Sequence, residues 1–337
     1  MASPTTNLLV SATSVTHDQL EVDPDAGEFS DYGSFCESHG TQSVTSSIQN
    51  YVYENGRRYH RLGDGKYTVP NDETEQNRLD IVHHLCLLLL GGKLHTAPVD
   101  APHRVLDCGT GTGIWALDFG ETHPMSEVIG VDLSPIQPTW VYPNVKFEVD
   151  DLDKDWTWPK NHFDFIYSRL ICPGIHDWER YVQQMFRHCA PGGWVEIHEW
   201  KHAAECDDGS IKGTRIEEYW KWYNQANEKA GFILPDAETI KGHLHKAGFV
   251  DIAIRQVASP WGMWPRKLSQ KIIGGTVAAG LETGLEAYAL ALFTRYTGME
   301  EEDAKKLCAD AVQEILSGKV HAYQISWHIS GRKPERV

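Results

Sequence analysis

The segment His103-Arg104-Val105-Leu106-Asp107-Cys108-Gly109-Thr110-Gly111-Thr112-Gly113 joins an apolar run to a loop with glycine at every second position. The run His103–Cys108 reads as a buried strand, and a helix is expected to open at Gly113. Glycine lets the main chain turn sharply and lets a ligand approach it closely. The spacing is G-x-G-x-G, whereas the dinucleotide fingerprint is G-x-G-x-x-G. Asp107 ends the strand just before the glycines. A carboxylate there repels a pyrophosphate and can hold an ammonium, directly or through water.

Downstream, Glu127–Asp132 reads as a second strand ending in an acid. Asp132, with Leu133 after it, can accept hydrogen bonds from two ribose hydroxyls. That acid alone does not exclude a nicotinamide enzyme, which would use one in the same way. Val145–Val149 is a third strand, followed by Asp150, Asp151 and Leu152. An acid at that point can accept from an adenine amino group, with Leu152 flanking the ring. Phe163–Tyr167 reads as a fourth strand and Asp177–Cys189 as a helix. Gly193–Trp200 reads as a fifth strand after the turn Pro191-Gly192. Strands alternating with helices at this spacing imply a parallel sheet covered on both faces. The acids and the glycine loop, in this order, suit S-adenosylmethionine (SAM) better than a nicotinamide or flavin cofactor.

Beyond Trp200 the pattern is more helical, at Ile211–Lys229, Asp236–Ala247, Leu268–Tyr296 and Glu300–Leu316. Phe249–Val257 and His321–Ile329 read as strands that pair as neighbours. The expected fold class is therefore α/β, with a seven-stranded mixed sheet whose last strand is antiparallel. Upstream, Asp72-x-x-Glu75 resembles a capping box opening a helix through Leu79, Val82, Cys86 and Leu89. Residues 1–50 hold seven acidic residues and no Lys or Arg. Such a segment has little apolar surface to offset its ordering entropy, so residues 1–48 are expected to be a disordered acidic tail. The domain then spans 49–337, with N-terminal lid helices at 49–100 and cap or substrate insertions at 201–248 and 258–320.

The formal net charge is −16, from 31 basic and 47 acidic residues. This disfavours direct nucleic-acid binding and an anionic membrane surface, and leaves a small molecule as the expected partner. Seven scattered cysteines without a C-x-x-C pair argue for reduced thiols, and against a disulfide framework or a metal site. The expected location is cytoplasmic, or nuclear for a regulatory role. Oligomeric state is left open.

With these motifs in place, the chain resembles the fungal LaeA-like methyltransferases, from about Tyr51 to the C-terminus. The most specific stretches are Tyr53-Glu54-Asn55-Gly56-Arg57-Arg58-Tyr59-His60 and Pro70-Asn71-Asp72-Glu73-Thr74-Glu75-Gln76-Asn77-Arg78-Leu79-Asp80. Gly113-Ile114-Trp115-Ala116, Gly130-Val131-Asp132, Cys206-Asp207-Asp208 and His321-Ala322-Tyr323 continue the match. The resemblance implies a class I, Rossmann-like methyltransferase that uses SAM and releases S-adenosylhomocysteine, in a setting of secondary metabolism. It divides over role: the founding members look like nuclear regulators of metabolite gene clusters, and many relatives look like enzymes that methylate one small molecule. A SAM fold can also serve a rearrangement without methyl transfer.

The N-terminal block is expected to fold over the strand ends. There Arg57 would meet the SAM carboxylate and Tyr59 would stack or hydrogen-bond nearby. Cofactor contacts are expected from Asp107, Gly109, Thr110, Gly111, Gly113, Asp132, Leu133, Asp150, Asp151, Leu152 and Tyr167. Arg169, Trp261, Met263 and Trp264 are the expected substrate contacts, because ligands bind at the carboxyl ends of such sheets. His198 and, second, His176 are the candidate bases.

Overall fold

The computed structural model describes residues 20–24, 51–59 and 67–335. A short hairpin, β1 (Val52–Glu54) and β2 (Arg57–Tyr59), leads into helix α1 (Glu73–Leu89). Then come β3 (Arg104–Cys108), α2 (Ile114–Thr122), β4 (Glu127–Asp132), β5 (Val145–Val149), β6 (Phe163–Arg169), α3 (Trp178–His188) and β7 (Cys189–Trp200). The rest is α4 (Arg215–Ala230), α5 (Ala237–Ala247), β8 (Val250–Pro260), α6 (Leu268–Leu292), α7 (Glu301–Leu316) and β9 (Tyr323–Arg332).

The main sheet has the order β5-β4-β3-β6-β7-β9-β8. The pairings β3–β4, β4–β5, β3–β6 and β6–β7 are parallel, and β9 lies antiparallel to both β7 and β8. The seven-stranded mixed sheet with an antiparallel last strand is thus the fold. Alternation along the strands sorts the core into two layers. Val105, Val128 and Phe165 pack with Trp115 and Phe119 of α2 on one face. Leu106, Ile129 and Ile166 pack with Tyr181 and Met185 of α3 and Ile240 of α5 on the other. Both faces are covered, so the central strands β3, β4 and β6 are buried at most positions.

Three expectations need correction. Residues 51–59 form a hairpin rather than helix, because Asn55 and Gly56 take φ values of 50° and 76° and close a tight turn. Helix α5 belongs to the layer beneath the sheet. The cap consists of α1, α4, α6 and α7, packed on Tyr219, Trp261, Leu285 and Phe293. The acidic tail lies outside the described residues except for 20–24, and those are docked. Val22 bridges Pro265, the Asp23 N–H donates to the Trp264 carbonyl, and Lys271 Nζ sits 2.5 Å from Asp23 Oδ2. Basic residues of the cap supply the charge that the tail lacks.

Strand β8 shifts register between Val250 and Ala253, with Asp251 at φ 53°.

Candidate active site

The carboxyl ends of β3, β4, β5 and β6 frame a cleft of about 1150 Å³. The glycine loop forms its floor. The N–H groups of Gly109 and Thr110 both donate to the Val131 carbonyl at 2.9 Å, which fixes the turn. Gly109 has φ +71°, and a Cβ there would lie 2.1 Å from Ile171 Cγ2, so only glycine fits. Asp132 accepts from the Gly111 N–H at 2.8 Å through Oδ2 and from the Ser134 N–H at 2.9 Å through Oδ1. Of the expected cofactor residues, Gly109, Thr110, Gly111, Asp132, Leu133, Asp150, Asp151 and Leu152 line this cleft together.

Other expected residues stand behind it. Asp107 is 2% exposed and accepts from the Thr110 hydroxyl at 2.6 Å, and burial pushes its carboxyl up to about 6. Gly113 caps α2, with Phe147 where a Cβ would be. Tyr167 is buried against Trp115, their rings 4.1 Å apart and nearly parallel. Arg57 does not reach the cleft. Its guanidinium holds Asp72 through two bonds of 2.7 and 2.9 Å, and Asp72 also caps α1. That pair pins the hairpin to the helix. Tyr59 is 1% exposed, beneath the Arg295 guanidinium.

Neither expected base faces the cleft. His198 is fully buried in β7, stacked on His328 at 3.9 Å, and burial holds it well below the ordinary histidine value. His176 pairs with Asp153 at 3.0 Å and is not among the residues that line the cleft. Of the expected substrate contacts, Arg169 lines the cleft, and Trp261 lines a neighbouring aromatic cavity. Trp264 donates its indole N–H to the Ala322 carbonyl, and the Met263 carbonyl accepts from Lys271; neither lines a described cavity.

The cleft also has residues that sequence reasoning assigned no role. Helix α1 supplies Glu75 and Arg78, and α6 supplies Tyr288. Arg78 bonds the buried Glu75 at 2.8 and 2.5 Å and the half-buried Tyr288 hydroxyl at 3.0 Å. Arg169 is aimed by a relay. Its guanidinium donates to His83 Nδ1 at 3.2 Å, and His83 Nε2 lies 2.8 Å from Asp118, so the Nε2–H tautomer satisfies both contacts. The block 70–78 was the available signal for Glu75 and Arg78.

Glu199 lines the neighbouring aromatic cavity. Its Oε1 accepts from the N–H groups of Ile171 and Cys172 at 2.7 and 3.0 Å, and burial pushes its carboxyl up to about 8. A carboxyl whose folded value exceeds its unfolded one binds more protons in the native state, so it lowers stability as pH rises from about 4.5 to 8. Glu199→Gln keeps the Oε1 acceptor and removes the titration. Urea unfolding at pH 5 and pH 8 should therefore show a smaller loss of stability in the variant than in the parent chain.

The lining residues are of kinds that could hold SAM: the acids Asp132, Asp150 and Asp151, Leu133 and Leu152, exposed main chain of the glycine loop, and Arg169. The comparisons agree. A family model described as a methyltransferase domain matches residues 81–254. The chain is 37% identical over 307 residues to the methyltransferase PytC of Aspergillus terreus, covering 90% of this chain and 93% of that one. It is 35% identical over 288 residues to the secondary metabolism regulator LaeA of Monascus pilosus, covering 83% and 77%. Among solved structures it is similar to phosphoethanolamine N-methyltransferase 2 of Haemonchus contortus in complex with SAM, at 18% identity, TM-score 0.44, covering 77% and 52%. With the glycine loop, the acids after β4 and β5, the family model and the two sequence relatives in agreement, the chain belongs to the LaeA-like methyltransferase family and is a SAM-dependent methyltransferase.

Proposed function

We propose that the chain methylates a small, apolar or aromatic metabolite and releases S-adenosylhomocysteine. The observation that carries the cofactor assignment is Asp132. It is locked by two backbone N–H groups between the glycine loop and the Asp150–Leu152 turn, all facing one cleft. Asp132 receives the ribose hydroxyls, Asp151 the adenine amino group, and Leu133 and Leu152 flank the ring. SAM supplies an electrophilic methyl group on a sulfonium, and the protein aligns the acceptor with it. Arg169 and, from beneath the loop, Asp107 present a cation and an anion to the zwitterionic amino-acid end of SAM. Arg169 therefore takes the carboxylate role first expected of Arg57.

Calorimetry tests this with SAM, with 5′-methylthioadenosine, which lacks the amino-acid end, and with NAD. SAM and methylthioadenosine should bind and NAD should not. Arg169→Met should weaken SAM by about 10- to 150-fold, the worth of a hydrogen bond between charged groups, and leave methylthioadenosine unchanged. Equal weakening of both ligands removes Arg169 from that role. The likeness to a relative named as a secondary metabolism regulator favours a second reading, in which the SAM fold serves gene control. The aromatic lining of the cavity beside the cleft favours the first.

A further inference from the structure

That cavity shares Leu170, Pro173 and Tyr288 with the cofactor cleft. The two spaces are therefore adjacent, with one wall in common. Trp200, Tyr219, Trp220, Tyr223 and Trp261 give the cavity flat apolar walls. Three nitrogens of its lining residues are shielded from solvent and have no hydrogen-bond partner among the described residues: Trp200 Nε1, Trp220 Nε1 and His202 Nε2. Leaving a buried polar group unmatched is costly. Folded cores rarely leave such atoms unmatched, and a ligand with polar atoms entering among these residues would satisfy them.

The chemistry of these three atoms sets the ligand class. An indole nitrogen only donates, so Trp200 and Trp220 call for acceptor oxygens. His202 lies away from charged partners, and burial pushes it down to about 4, so its ring is neutral near pH 7. With the proton on Nδ1, Nε2 is an acceptor and calls for a hydroxyl donor. Among the described residues no Lys or Arg lines the cavity, and Glu199 is its carboxyl. An anionic acceptor would meet no counter-charge there.

We propose that this chamber holds the methyl acceptor, a neutral, oxygenated aromatic molecule of the phenol class, and that His202 Nε2 receives its hydroxyl proton. The proposal rests on the methyl-transfer reading above for its chemistry, though not for its binding geometry. As the hydroxyl oxygen forms its bond to the methyl carbon, the carbon–sulfur bond breaks and its electron pair stays on sulfur. The hydroxyl proton passes to Nε2, and the resulting imidazolium returns it to solvent on product release. His202 is then a catalytic residue, in the role first expected of His198.

The test uses the full chain without SAM and compares 2-naphthol with 2-methoxynaphthalene by calorimetry. The two probes share the aromatic body, and only the first donates a hydrogen bond. A neutral hydrogen bond predicts a preference of about 3- to 10-fold for 2-naphthol. His202→Phe should erase the preference, and His202→Gln, which restores an acceptor, should recover it. SAM affinity, measured in parallel, should stay unchanged in both variants and shows that they are folded. Failure of either probe to bind, or an equal preference in His202→Phe, overturns the proposal. If 2-naphthol binds with the expected preference, adding SAM should give the methoxy product. Binding without that product would sink the methyl-transfer reading while leaving the chamber assignment standing.

Discussion

Asp132→Ala is expected to weaken SAM and 5′-methylthioadenosine alike, by at least ~150-fold, because two ribose hydrogen bonds to a charged group are lost at about 1.5 kcal/mol or more each. The substitution also leaves the Gly111 and Ser134 N–H groups without their acceptor, so the loop that faces the ligand loosens. Asp132→Asn retains an acceptor on one side only and should fall between the two. Calorimetry with both ligands separates this effect from that of Arg169→Met, which touches the amino-acid end alone. An unchanged affinity for methylthioadenosine would remove Asp132 from the ribose site.

Arg78→Met is expected to destabilise the fold by about 3–5 kcal/mol, since it strands the Glu75 carboxylate in the interior. Thermal unfolding should drop by on the order of 10 °C. Adding Glu75→Gln should recover part of the loss, because the two residues act as one unit and their effects are not additive. If the single variant melts with the parent chain, the buried pair does not hold α1 against the cap. The Tyr288 hydroxyl loses its donor in the same variant. Because Tyr288 lines both spaces, naphthol binding should weaken together with stability.

The parts of this molecule that are legible in the chain are those set by local order. β4 and β5 fall on the expected residues because apolar runs there end in acids or turns. The cleft residues after β3, β4 and β5 follow directly from those strand ends. Choices between equivalent partners were not legible. Arg57 and Arg169 are both arginines near the expected site, and only the tertiary arrangement gives one to Asp72 and the other to His83. His198 and His202 differ by four positions. The first lies inside the sheet, stacked on His328 of the neighbouring β9, and the second lies just past the end of β7, where a cavity can reach it. Tyr288 sits in a long, largely apolar helix, whose sequence does not mark which side meets a ligand.

The sheet's two free margins carry a further consequence. Both β5 and β8 have a neighbour on one side only, so each offers unpaired main-chain groups to any strand that approaches. β5 is five residues long and carries Lys146 and Glu148. β8 is kinked at Asp251, carries the exposed Arg255 and ends in Pro260. Charge, brevity and a kink each spoil the flat template that self-association through strands requires. Edge-to-edge pairing of these strands between copies of the chain is therefore disfavoured.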